Sequence, residues 1–224
     1  MNDSLPSRLP ATERSRHRRL REQGGPERAE LDAILAAGFI CRLGVVVDGC
    51  PMVVPTVYGS DGRHLYLHGS VAGRSLLAAS DAEVRVTVTH LDGLVLDRSA
   101  FEHGVNHRSA MIYGTPRPVT DPGEKPAGLR LLTEQCAPGQ WDYARRPNRR
   151  EPAATSLLAL SLAEASVKLR SGPPDDGDGP NGGSGRWAGV LPLVTTFGEP
   201  VTGPPPGNAA APPHVSARAG APVG

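Results

Sequence analysis

The sequence predicts a mainly β domain with inserted helices (α+β), closed as an antiparallel barrel, and three observations carry that reading. The pairs Asp48-Gly49 and Asp61-Gly62 sit between short apolar runs, which is the chemistry of tight hairpin turns. Val84, Val86 and Val88 alternate with polar residues, the period of a half-buried strand. Nothing repeats as a βαβ unit, and there is no Gly-x-Gly-x-x-Gly. About six strands in short hairpins, with helices between them, fit a barrel better than an open parallel sheet.

The elements follow in order. Residues 26–37 read as an amphipathic helix, with Leu31, Ile34 and Leu35 at helical spacing and Gly38 as the stop. Residues 39–47 form an apolar strand. The next strand, 52–58, carries Pro51 at its start and Pro55 inside. An internal proline predicts an edge or bulged strand, with backbone groups free to meet a ligand. Residues 63–68 are a strand that breaks at Gly69-Ser70 and leads into a helix over 73–80. Strands follow over 83–89, a short piece at 94–96, and 105–119. Residues 122–138 are a helix with Leu129, Leu131, Leu132 and Cys136 inward. The polar, Arg-rich stretch 140–153 is a loop or ragged helix. Residues 157–162 and 165–170 fit strand or helix by periodicity, and the alternation of Val167 and Leu169 with polar residues, ended by Gly172-Pro173-Pro174, favours strand. An acidic Gly/Pro linker over 173–185 then delivers an apolar segment at 187–193.

Composition bounds the organisation. The first 22 residues are Arg-rich and those from 198 to 224 are rich in Pro, Ala and Gly, so both read as disordered tails around one domain over 23–197. A net charge of +1 offers no global field for nucleic acid or an acidic membrane. The Arg-rich segment 14–21 is read as a solvated tail. Cys41, Cys50 and Cys136 are isolated and odd in number, so neither a disulfide framework nor a zinc site is expected. No apolar run approaches the ~20 residues that span a bilayer. A reduced, cytoplasmic protein is the expectation.

Chemistry concentrates around residues 63–76. A strand that empties through Gly69 and Ser70 into a helix start exposes N–H donors, to which Arg74 adds a fixed charge and Ser75 a hydroxyl. That set suits a phosphate, or is a solvated polar turn. His64 and His68 share one side of a strand but lie about 13 Å apart, too far for one metal. His103 and His107 fall in a loop with no completing cysteine or carboxylate, so no metal is expected.

The ordered set of 39–47, Pro51 to Pro55, Leu65 to Ser70, Asn106-His107-Arg108-Ser109 with Tyr113-Gly114, 165–174 and Trp187 to Pro192 resembles a known family. It is similar to the pyridoxamine 5′-phosphate oxidase-like flavin-binding split barrels, most of all the branch of nitroimidazole-resistance reductases. The resemblance spans about residues 27 to 193. It implies a six-stranded antiparallel Greek-key split barrel with peripheral helices, which dimerises with itself and binds FMN at the subunit interface. Carried over by position, His68, Gly69, Ser70, Arg74 and Ser75 would hold the phosphate side, and Val53, Val54 and Pro55 would line the isoalloxazine. Asn106, Arg108 and Ser109 match the polar strand entry, and Trp187 matches the late tryptophan. His68 stands where that branch keeps a histidine beside the flavin, which implies a catalytic proton-donor or substrate-contact role. Arg74-Ser75 replaces the Arg-Lys pair of the oxidase proper, so the resemblance points away from vitamin B6 oxidation. It points instead to an oxidoreductase acting on a small electrophile such as a nitroaromatic or quinone. F420 in place of FMN, or a flavin- or haem-binding carrier without turnover, keeps the same fold.

Overall fold

Asp48 (φ 51°) and Gly49 (φ 77°) both occupy the left-handed region. Two such residues in succession make the two-residue turn that matches the twist of a hairpin. The strands on either side pair in register from Val47↔Cys50 to Ile40↔Val57. The computed structural model describes residues 6–16, 23–25, 27–80, 82–174, 185–204 and 209–224; the linker expected over 173–185 lies mostly outside them.

In chain order the elements are β1 (Gly24–Gly25), α1 (Arg28–Ala36), β2 (Ile40–Val47), β3 (Cys50–Ser60) and β4 (His64–Ser70). Then come α2 (Arg74–Ala79), β5 (Val84–Leu96), β6 (Gly104–Gly114), β7 (Arg117–Pro118) and α3 (Glu124–Cys136). The chain continues through α4 (Gln140–Tyr143), α5 (Arg150–Ala153), β8 (Thr155–Ser161), β9 (Ala165–Arg170), β10 (Gly189–Pro192) and α6 (Pro213–Ser216). One antiparallel sheet runs β1-β9-β6-β5-β2-β3-β4-β8-β7, with β10 added on β5. Among the described residues the sheet thus has ten strands rather than the six expected. The two-residue β1 and β7 and the four-residue β10 are too short to leave a period in the sequence. The pieces expected at 83–89 and 94–96 are one strand, β5, with a register shift between Leu91 and Gly93.

The edge expected at Pro55 applies to half of β3. Residues 50–57 pair with β2, while pairing with β4 begins only at Tyr58. Pro55 therefore lies where one side of the strand has no partner, the place a residue without an N–H is tolerated.

Two apolar clusters fix the rest. Leu43, Val45, Leu65, Leu67, Val86, Leu158 and Leu160 fill the inside of the curl, closed by Leu31, Ile34 and Leu35 of α1 and by Leu76 of α2. The Tyr58 hydroxyl crosses this core to donate to the Leu35 carbonyl at 2.7 Å. On the outer face Tyr66, Leu157 and Ala159 pack beneath Leu132 of α3, with Leu129 and Leu131 beside them.

Both terminal segments, expected to be disordered, make defined contacts where they are described. Arg14 bridges Glu164 and Glu83, and Thr12 bonds Glu164. At the other end Arg218 donates to the Cys136 carbonyl and lies 4.0 Å from the Phe197 ring centroid, while Val223 N–H bonds Thr195. Single arginines placed on carboxylates, carbonyls and rings hold these segments. Such contacts leave no hydrophobic period for sequence reading to detect.

Candidate functional site

Alternation along the strands sorts the residues singled out from the sequence. Successive side chains of a strand point to opposite faces. In β4, Leu65 and Leu67 enter the inner core, Tyr66 joins the outer cluster, and His68 follows Tyr66. Gly69 faces inward, where a Cβ would meet Leu76 of α2 at 3.2 Å. In β3, Val54 stands opposite buried Leu43, while Val53 and Pro55 stand opposite Gly44 and Arg42 on the outer face. Val53 is 66% exposed. The three residues expected to line a ring thus divide: Val53 and Pro55 present side chains, and Val54 does not.

The phosphate set comes together in part. Ser70 ends β4, its Oγ accepting from the Ala72 N–H at 3.2 Å. Gly73 then opens α2 with no side-chain cap, leaving the N–H groups of Arg74 and Ser75 at the start of the first turn. The Arg74 guanidinium donates to Asp48 Oδ2 at 2.5 Å, and both side chains are largely exposed. Arg42, opposite Pro55 on the same face, has no ion pair among the described residues. Sequence reading passed over it because only the register reveals its neighbours.

The β6 set does not converge. Asn106 is buried, donating to the Gly172 carbonyl at 3.0 Å and accepting from Arg170 at 2.7 Å. Arg108 is forked on Asp92, at 2.8 Å for the shortest contact, which raises its pKa further. Ser109 points to the opposite face from Arg108 and donates to the Lys168 carbonyl at 3.3 Å. Arg108 is therefore committed to a carboxylate, away from Arg74. Trp187 is 67% exposed, its ring folded over Gly189 of β10, where a Cβ would lie 2.6 Å from it.

His68 lies in a cavity that the sequence did not announce. About 410 Å³ in volume and open to solvent on one side, it is lined by Val57, Leu132, Cys136, Trp141 and Pro152, with Thr133, Glu151 and Thr155 as its polar members beside the imidazole. Its walls come from β3, β4, α3 and the 140–153 stretch, which the sequence left as a ragged loop. The one signal there was Trp141, a large apolar residue inside a polar run. His68 Nδ1 is buried and has no hydrogen-bond partner among the described residues. Burial lowers the pKa of the ring, which favours the neutral imidazole. With Nδ1 shut off from solvent, the ring can meet a ligand in the cavity only through its remaining edge. No group of three or more His, Cys, Asp or Glu that could hold a bare metal ion occurs among the described residues. Val57 lines this cavity and lies two residues from Pro55, on the same outer face. The cavity and the exposed Val53–Pro55 edge are thus neighbours along one strand.

Comparison with known proteins places the chain in a family. A family model described as pyridoxamine 5′-phosphate oxidase matches residues 27–169. The chain is similar to the flavocytochrome Anf3 from Azotobacter vinelandii, at 32% identity over 92% of this chain and 97% of that one, with a TM-score of 0.86. It is also similar to the FAD and haem binding protein from Mycobacterium smegmatis, at 37% identity over 88% of this chain and 98% of that one, with a TM-score of 0.83. A putative 5-nitroimidazole antibiotic resistance protein from Bacteroides thetaiotaomicron shares the fold, at 18% identity over 65% of this chain and 86% of that one, with a TM-score of 0.52. No curated protein matches the chain. Among the described residues, no helix is long and apolar enough to cross a membrane.

Proposed function

Since the chain belongs to the pyridoxamine 5′-phosphate oxidase family of split barrels, we propose that it is a flavin-binding redox protein that also holds haem in the His68 cavity. The observation that carries this reading is the His68 imidazole on the wall of a mostly apolar cavity, the lone imidazole in that lining. A macrocycle brings four ring nitrogens of its own. A single neutral histidine is therefore a sufficient protein ligand, whereas a bare ion would need several. The relatives at 32% and 37% identity, one a flavocytochrome and one binding FAD and haem, support the pairing.

The residues present also fit a flavin nucleotide, FMN or FAD. Arg74, Ser70, Ser75 and the uncapped start of α2 supply cationic and hydrogen-bond donors for a phosphate, and Arg42 adds a second cation on the outer face. Val53 and Pro55 offer a flat apolar edge for a ring. The flavin, when bound, supplies hydride and single-electron chemistry. The chain's own part is to orient it and to exclude water. Val57 of β3 lines the cavity, so a flavin at the Val53–Pro55 edge would lie beside it along the same strand. The exposed outer face, with Val46, Val53 and Met111 uncovered, supports closure by a second copy of the chain across a two-fold axis.

A second reading drops haem and keeps a flavin or F420 reductase for a small electrophile such as a nitroaromatic or quinone. The openness of the Val53–Pro55 edge favours it. The absorbance spectrum of the purified protein, before and after adding haemin and FAD, decides between them. A Soret band lost in His68→Ala but not in Arg74→Ala supports the two-cofactor reading. Flavin bands without haemin uptake leave the reductase, and a protein taking up neither overturns both.

A further inference from the structure

One wall of the His68 cavity is built unlike the others. Val57, His68 and Leu132 stand on β3, β4 and α3, elements packed into the apolar clusters. Pro147, Glu151 and Pro152 line the cavity from a segment in which every residue from 142 to 151 is exposed. The short α4 and α5 contribute no buried residue. Between them the chain is tied to itself. Arg145 forks onto Glu151 at 3.0 and 2.5 Å and the Asn148 N–H donates to the same carboxylate at 2.8 Å, which holds that carboxyl down at about 2. The Asn148 side chain in turn accepts from the Arg150 and Glu151 N–H groups at 2.9 and 3.2 Å. Residues 145–151 are thus a compact loop held by its own contacts. Its side-chain tie to α4 is Arg146, which donates to Asp142 at 2.7 Å and to the Trp141 carbonyl at 2.6 Å and lies 5.4 Å from the Trp141 ring centroid. Helix α4 is fastened separately to α3, because Glu134 accepts from the Gly139 and Trp141 N–H groups at 2.7 and 2.8 Å.

We propose that residues 145–152 are a movable flap on the His68 cavity, latched to α4 by Arg146, and that its opening sets how fast a ligand enters and leaves. This rests on the reading of that cavity as a ligand site and adds how the site opens. A segment without a buried apolar anchor opens at little cost, and its internal ties let it move as one piece. An exposed ion pair with an exposed cation–π contact holds such a flap shut by only about three- to thirtyfold. At about 410 Å³ the cavity stands in the lower part of the about 300–1,000 Å³ range of small-molecule sites, so a macrocycle gains room when this wall swings out.

The test has one arm with haemin and one without a ligand. Stopped-flow mixing followed by the Soret band reads haemin uptake and release in wild type, Arg146→Gln and Arg146→Lys. Both rates should rise about three- to thirtyfold in Arg146→Gln while their ratio changes far less, and Arg146→Lys should fall between. A fixed wall predicts the opposite sign for uptake, since losing a cation slows the approach of an anionic ligand. The ligand-free arm follows the Cys136 thiol, which lines the cavity, in a Cys50→Ser background that removes the exposed thiol and leaves Cys41 buried. Labelling of Cys136 by an aromatic disulfide reagent should quicken in Arg146→Gln by a similar factor, with thermal melts that coincide because Arg146 is exposed. Haemin uptake at or below the wild-type rate in Arg146→Gln, or unchanged Cys136 labelling, would overturn the flap. If wild type takes up no haemin, the haem reading falls and Cys136 labelling alone decides the flap.

Discussion

A Cβ on Gly59 would lie 2.7 Å from the backbone nitrogen of Leu132. Strand β3 and helix α3 therefore approach backbone to backbone, and this approach seats the helix that roofs the His68 cavity. Gly128, on α3 itself, faces the Leu157 side chain in the same way, also at 2.7 Å. The two are not equivalent, because a leucine methyl can rotate away and a helix backbone cannot.

Gly59→Ala is accordingly expected to destabilise by the upper part of the about 1–3 kcal/mol typical of overpacking. Gly128→Ala should cost less, since a gain of about 1 kcal/mol in helix propensity offsets part of its clash. Thermal and urea melts of the two variants check the order. If Gly59→Ala were neutral, α3 would have to be free to shift on the sheet.

Arg74 and Asp48 form an ion pair with side chains 70% and 81% exposed, so the pair contributes only about 0–1 kcal/mol to the fold. Its consequence is for binding. Arg74→Ala should weaken FMN or FAD by about 1.5–3 kcal/mol, roughly ten- to a hundred-fold, while riboflavin, with no phosphate, should be unaffected. Asp48→Ala should act with the opposite sign, since it frees the guanidinium from a competing carboxylate. Isothermal titration with the three flavins reads both effects. Parallel losses for riboflavin and FMN would mean that Arg74 supports the fold rather than the phosphate.

His68 makes stability depend on pH in a definite direction. Burial lowers its folded pKa below the ordinary 6.5, so the unfolded chain binds the proton more readily. Above the unfolded value there is no penalty. As pH falls from there toward the lower folded pKa, the protein loses stability through this group. His68→Gln cannot take up that proton, so it should gain on wild type between pH 7.5 and about pH 5. Urea melts of the two proteins at both pH values measure the difference. A difference that does not change with pH would mean that the ring titrates as it does in water.

Much of the fold was legible because it rests on periods and turns. Asp48-Gly49, the valines of β5 and the apolar face of α1 each declare themselves locally. Arg74, Ser70 and Ser75, named from the family pattern, sit at the junction of β4 and α2. The pairing of Arg108 with Asp92, sixteen residues earlier, was not visible, because it depends on the β5–β6 register and its shift between Leu91 and Gly93. The cavity was hidden for a similar reason. Its walls come from β3, β4, α3 and the stretch beyond, and only packing shows that His68 and Trp141 line one space. The short α4 and α5 gain their positions from tertiary contacts, which local propensity does not encode.

The last prediction concerns the segment after Gly198, which composition marks as expendable. Arg218 donates to the Cys136 carbonyl at the end of α3 and sits over the Phe197 ring. His214 bonds the Gln140 side chain at 2.9 Å, and its ring lies 5.4 Å from that of Tyr143. The segment thus grips α4 from outside, and α4 carries Trp141 into the cavity wall. A chain ending at Gly198 is expected to melt lower and to bind haemin more weakly, while its FMN affinity at the distant α2 start stays the same. Arg218→Ala alone removes one charged hydrogen bond and one cation–π contact, a loss on the order of 1–3 kcal/mol. It should reproduce part of the truncation effect on haemin and none on FMN. If truncation left the haemin titration and the melt as in the full chain, the segment would rest on α4 without holding it, and Trp141 would be placed by α3 alone.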